Sequence, residues 1–242
     1  MREVRIYQPG NYAEGQSLDL SAEAGQHVGV VLRMQPDDRL TLFCGDNREF
    51  EATIISVHKK RVSVRILSEQ QVNRESSRKI HLAQAISKGE RMELVMQKAV
   101  ELGVASIQPL ITARCVVKLD KERMEKKLAQ WQAIAIAACE QSGRNQLPVI
   151  APSCSLTDYL QQAKASLKFV LHPLQSKTWR DYTFSTTDIT LLIGPEGGFS
   201  QDEIEQILSF AFNPLSLGPR VLRTETAAIA AISVLQAVCG DL

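Results

Sequence analysis

Two glycine-bearing turns near the C-terminal end constrain this chain more than any other feature. The first reads Gly194-Pro195-Glu196-Gly197-Gly198-Phe199-Ser200, and the second reads Leu217-Gly218-Pro219-Arg220-Val221-Leu222-Arg223-Thr224-Glu225-Thr226-Ala227. Each follows a short apolar run and opens into a helical pattern. In α/β proteins, strand-to-helix turns of this kind lie at the carboxyl ends of the strands, where ligands bind. Two of them side by side predict one pocket walled largely by backbone.

The rest of the C-terminal part fits that frame. Residues 80–86 read as a buried strand. Residues 90–102 place Met92, Val95, Met96, Ala99 and Leu102 on one helical face, and Gly103 ends the pattern as a C-cap. Strands are expected at 107–111, 149–150, 168–171, 189–193 and 215–217. Helices are expected at 121–142, 156–163, 200–211 and 225–238. Such alternation predicts a mostly parallel sheet covered on both faces. Ser200 and Glu203 fit a capping box, which starts a helix at about Ser200 and leaves 194–198 in the turn.

The N-terminal part has a different rhythm. Residues 26–34, 40–43, 50–57 and 61–67 read as short strands separated by Asp/Asn/Gly and His-Lys-Lys turns. That spacing suggests a small barrel or sandwich. The polar stretch 68–77 has linker composition. The expected domains are therefore 1–72 and 73–242.

Bulk properties exclude several classes. The 242 residues carry a net charge of only +1, so any nucleic-acid footprint must be local. The five cysteines (Cys44, Cys115, Cys139, Cys154 and Cys239) are scattered and form no CxxC pair. This argues for reduced thiols and against a zinc site or a disulfide framework. No metal is expected. The first residues, Met1-Arg2-Glu3-Val4-Arg5, are too charged for a signal peptide. The longest apolar stretch, 227–238, is interrupted and falls short of the roughly 20 residues a membrane span needs. A soluble, cytoplasmic protein is expected.

Which ligand suits the two turns? The loop lacks a P-loop ending and a GxGxxG pattern. Glu196, Asp202 and Glu203 would repel a polyphosphate from a helix end that otherwise attracts anions. A neutral or cationic ligand fits better, and S-adenosylmethionine (SAM) is such a ligand. Glycines let the main chain approach it closely.

These residues also carry a family resemblance. The two turns, with Ile193 before the first, resemble the signature pair of the RsmE family, the ribosomal RNA small subunit methyltransferases E of the SPOUT superfamily. Residues 101–104 with Pro109, Leu110 and Arg114, residues 140–144, and residues 27–34 are similar to further blocks of that family, in the same order. Cys115 departs from the serine that many members carry after the arginine. The resemblance implies a SPOUT-type parallel sheet with a C-terminal deep trefoil knot, and an N-terminal PUA-like β-barrel that holds RNA. It implies a homodimer with SAM bent into the knot. The contacting loops would be Leu171-His172-Pro173, then Gly194, Pro195, Glu196, Gly197 and Gly198, then Leu217, Gly218, Val221, Leu222, Thr224 and Ala227. The implied reaction is methylation of uracil N3 at one uridine in the decoding region of 16S ribosomal RNA, free or within a 30S subunit.

Uracil N3 is a poor nucleophile until its proton leaves, so a base or an anion-stabilising charge is required. Arg223 is the first candidate for that charge, with Arg114 and Arg144 as possible partners, although Arg144 reads better as a surface ion pair or a phosphate contact. Glu225 is read either as a base or as the group that orients the methionine ammonium. His172 is read as packing against adenine. His27, Arg33, Lys59, Lys60, Arg74, Arg78 and Arg144 are the candidate RNA contacts, since phosphate contacts position a substrate. Two other readings stand beside this one: a SPOUT methyltransferase acting on tRNA or a ribose 2′-hydroxyl, and a non-catalytic RNA-binding assembly factor.

Overall fold

The computed structural model describes residues 4–59, 61–115, 120–172 and 177–242. Their contacts divide into two compact units. One holds the chain up to Glu75 together with Cys139–Leu147, and the other holds Ser76–Ala138 and Pro148–Leu242. The expected boundary at 72 and 73 misses the segment 139–147. Its polar side chains explain its place. Glu140 accepts the Tyr7 N–H at 2.9 Å, and Asn145 donates to Glu49 at 3.0 Å and to the Val72 carbonyl at 2.7 Å.

The first unit carries strands β1 (Arg5–Tyr7), β2 (Ser17–Asp19), β3 (Arg39–Phe43), β4 (Arg48–His58) and β5 (Arg61–Gln71). They form one sheet in the order β1-β3-β4-β5-β2. Along β5, Val62, Val64 and Ile66 alternate inward, as period-2 patterning requires. This strand runs into the stretch of linker composition. There Arg48 to Glu51 of β4 supply pairing partners as far as Gln71, and pairing overrides local polarity.

Residues 26–34 are not a strand. Ser21 caps a helix α1 (Ala22–Gln26), and a π-helical turn, His27–Val31, continues it. The Leu32 N–H closes that turn on the His27 carbonyl at 2.9 Å. Ala24 and Val28 enter the core, whereas Val30, Val31 and Leu32 face outward. Gly29 permits the packing, because a Cβ there would stand 3.0 Å from the Lys59 carbonyl oxygen. A run rich in β-branched residues reads as a strand; tertiary contact decided otherwise.

The second unit alternates as expected. It contains β6 (Lys79–Ala85), α2 (Glu90–Glu101), β7 (Ser106–Ile111), most of α3 (Lys121–Ser142), β8 (Val149–Ile150), β9 (Cys154–Ser155), α4 (Leu156–Gln162), β10 (Leu167–Leu171), β11 (Asp188–Ile193), α5 (Gln201–Ser209), β12 (Asn213–Leu215) and α6 (Thr224–Cys239). The described pairings in this sheet are parallel, in the order β12-β10-β11-β6-β7-β8, with β9 also on β7. On one face Leu110, Val170 and Leu192 meet Leu156, Leu160, Ile204 and Ile207 of α4 and α5. Helix α6 packs against α2 and β11. Met92, Val95, Met96 and Ala99 are buried as their spacing predicts.

The last strand lies earlier than the expected 215–217. Asn213 and Pro214 pair with Phe169 and Val170 at the sheet edge, the position where a strand tolerates proline. Among the described residues, no helix is long and apolar enough to cross a membrane.

In the first unit, Arg144 is buried and its guanidinium forks onto Glu75, with Nε to Oε1 at 3.0 Å and a second short bond from Nη2. Arg144→Ala would leave the Glu75 carboxylate without that partner. It is expected to lower unfolding stability by about 3 kcal/mol, the scale for breaking a buried pair. Thermal unfolding followed by circular dichroism checks this, and an unchanged midpoint would contradict it.

Candidate cofactor pocket

The carboxyl ends of β10, β11 and β12 open into a cavity of about 570 Å³ lined by Leu171, Ile193 and Leu215 from those strands. The two glycine-bearing turns complete its wall. Every cofactor residue expected from the sequence lines it, except Pro173, which lies outside the described residues. Arg114, Arg223 and Glu225 line it as well. The sequence reading did not assign Arg91 or Ser216 to the pocket, yet both are in the wall. For Arg91 no local signal exists, because α2 brings it there from more than a hundred residues upstream.

The turns are held to each other and to the sheet by one buried threonine. The Thr224 hydroxyl donates to the Gly194 carbonyl at 2.7 Å and accepts from the Gln84 amide of β6 at 2.9 Å. Gly194 lets the Phe199 ring pack close, since a Cβ there would lie 3.1 Å from that ring and push it back. After the turn, Ser200 and Glu203 form the expected capping box. The Glu203 N–H reaches the serine hydroxyl at 3.2 Å, and the serine N–H reaches the carboxylate at 2.8 Å. The other Glu203 oxygen accepts the Ala113 N–H at 2.7 Å.

The carboxylates divide sharply between used and unused. Glu196 accepts from the Lys88 N–H and from Arg91, each at 3.0 Å. Partial burial acts to raise its pKa, but those two bonds and its own N–H outweigh burial and hold it below the usual carboxylate range. Glu203 is committed to the cap. Glu225 is different: its Oε2 is buried and has no partner among the described residues. His172 lines the same cavity, and its Nδ1 is likewise buried without a partner among the described residues. The preference for a cationic ligand, which the sequence reading drew from Glu196, Asp202 and Glu203, therefore rests on Glu225.

Arg223 is exposed at the N-cap of α6. Arg114 turns inward on the protein, donating to the Gly197 carbonyl at 2.9 Å. Among the described residues, no group of three His, Cys, Asp or Glu side chains is arranged to hold a metal.

The proposed RNA contacts separate into two groups. In the first unit, His27 and Arg33 are exposed around the π-helical turn that rests on the exposed Lys59. Lys60 lies outside the described residues. The other three make bonds within the protein. Arg144 is buried against Glu75. Arg74 bonds Glu49 and the Gly143 carbonyl, and Arg78, in the second unit, bonds the carbonyls of Cys239 and Thr186.

A family model described as an RNA methyltransferase domain matches residues 74–236, and an RNA methyltransferase PUA domain matches residues 20–67. A ribosomal RNA small subunit methyltransferase E from Buchnera aphidicola (Schizaphis graminum) is 39% identical over 100% of this chain and 98% of its own length. Its counterpart from Bacillus subtilis is 32% identical, over 92% of this chain and 90% of its own. Among solved structures, a Legionella pneumophila protein described as a methyltransferase in complex with SAM is 64% identical, with a TM-score of 0.99 and full coverage of both chains. The ribosomal RNA small subunit methyltransferase E of Neisseria gonorrhoeae, bound to S-adenosyl methionine, is 38% identical, with a TM-score of 0.93 and full coverage of both.

Thr224→Val keeps the shape of the side chain and removes its hydroxyl. It strands the Gly194 carbonyl and weakens the hold on Gln84. The expected cost is about 1–3 kcal/mol, the penalty for a buried polar group left unpaired. Chemical denaturation measures this, and a variant as stable as the parent would contradict the role given to Thr224.

Proposed function

Because the chain belongs to the ribosomal RNA small subunit methyltransferase E family, we propose that it methylates N3 of one uridine in the decoding region of 16S ribosomal RNA, with SAM as the donor. The observation that carries this reading is the unpartnered Oε2 of Glu225 on the cavity wall. A carboxylate oxygen kept from water is costly unless a cation or donor meets it. The cofactor supplies both the cation and, when bound, an electrophilic methyl group. The residues fit it: Glu225 for its positive charge, the His172 ring for its adenine, and the backbone of the two turns for its polar edges.

The protein's own chemistry concerns the uracil. Its N3 must lose a proton, and the negative charge that develops spreads onto the flanking carbonyl oxygens. Arg223, exposed on the cavity wall, offers a fixed positive charge to that anion. Arg114, itself on the cavity wall, is bonded to the Gly197 carbonyl and steadies the first turn. His27, Arg33 and Lys59 would meet the RNA backbone.

The same reading includes a knotted C-terminal chain, a homodimer and a cytoplasmic location. The chain path supports the knot: from β12 at the sheet edge it returns past the Gly194 turn to α6, against α2 and β11.

Arg223→Ala is expected to bind SAM like the parent in calorimetry and to transfer methyl groups about 100-fold more slowly, the scale for losing one charge-stabilising donor. Glu225→Gln is expected to weaken SAM binding about tenfold, as for a lost charge-assisted contact. Mass mapping of 16S rRNA from a deletion strain, before and after adding the protein, locates the methyl group. Free RNA and 30S particles are compared in the same assay. Methylation at another atom or in another RNA would overturn the proposed substrate.

A further inference from the structure

The Gly194–Gly198 turn has little internal support. The Gly198 N–H closes it on the Pro195 carbonyl at 2.9 Å, which places Glu196 and Gly197 at its corner. Both corner residues are tied from outside. Gly197 gives its carbonyl to Arg114, and Glu196 gives its carboxylate to the Lys88 N–H and to Arg91.

Arg91 is the unexpected partner. It lies in the first turn of α2, beside Glu90 and Glu93. A cation there opposes the helix dipole, so local helix physics does not explain it. Its position is explained by what it reaches, for its Nη1 stands 3.0 Å from Glu196 and its side chain lines the cavity.

We propose that Arg91 is a positioning residue for the cofactor turn, acting through Glu196. The clamp fixes one wall of the pocket before any ligand arrives. Glu196 is thus a structural acid of the turn, and the cofactor's charge falls to Glu225. The ligand readout of this inference rests on the SAM reading above, whereas its backbone readout does not.

The pair is partly exposed, with 44% of the Arg91 and 24% of the Glu196 side chain accessible. Exposed pairs contribute little to global stability. The effect of Arg91 therefore lies in the local order of the turn, and this separates positioning from general support of the fold.

The test compares the full-length parent with Arg91→Ala, Arg91→Lys, and the charge-swapped pair Arg91→Glu with Glu196→Arg. Arg91→Ala is expected to keep the parent's melting temperature and to weaken SAM binding about fivefold, the scale of reordering one backbone residue. In ligand-free protein the Gly198 amide should exchange faster by a similar factor. Arg91→Lys should recover part of the affinity, and the swapped pair less, because an arginine at position 196 cannot accept the Lys88 N–H. Parent-like affinity and parent-like Gly198 exchange in Arg91→Ala would overturn the proposal, as would a large loss of melting temperature. If the parent itself failed to bind SAM, the cofactor reading would fall, and the Gly198 exchange would still decide the clamp.

Discussion

The pocket depends on one buried hydroxyl. Thr224 joins the end of β11, through the Gly194 carbonyl, to the centre of the sheet, through Gln84. It is also the first residue of α6, the helix that packs on α2 and β11. One side chain therefore fixes both glycine-bearing turns relative to the strands they leave. A hydroxyl can do this because it donates and accepts at once. An aliphatic residue of the same size would fill the space without aligning the turns.

Around that joint the charges are allotted economically. Glu203 caps α5, Glu196 holds its turn to α2, and Arg114 braces the same turn through a carbonyl. These groups spend their hydrogen-bonding capacity on the protein. What stays unpaired in the residues that line the cavity is a buried oxygen of Glu225 and a buried nitrogen of His172. Most buried polar groups in folded proteins find partners, so such residual capacity stands out, here as at Gln84, Ser87 and Trp131 away from the cavity. The acid content of the turns thus has two meanings, one architectural and one directed at a ligand, and only coordinates separate them.

The first unit follows the same logic on a different sheet. Its long β4–β5 hairpin sets the core, and the π-helical turn at His27–Val31 closes over it through Val28. Arg5, Arg74 and Asn145 converge on Glu49, and Arg144 on Glu75. Burial of Cys139 in the segment that joins this unit pushes its thiol up to about 12, so it behaves as a core residue.

The sequence alone determined the parallel α/β alternation, the capping box at Ser200, and the three wall segments around residues 171–172, 194–198 and 217–227. Each of these is written in local chemistry: apolar periodicity, helix caps and glycine turns act over a few residues. Tertiary structure decided the rest. It turned residues 26–34 from strand to helix, where Val28 enters the core and Gly29 leaves room for the Lys59 carbonyl. It buried Arg144 and brought Arg91 to the cofactor turn. It also left Glu225 as the unpaired acid of the pocket wall. An ionic side chain reads the same in sequence whether it is solvated, paired or reserved for a ligand. Its partner lies far along the chain, and only the fold brings the two together.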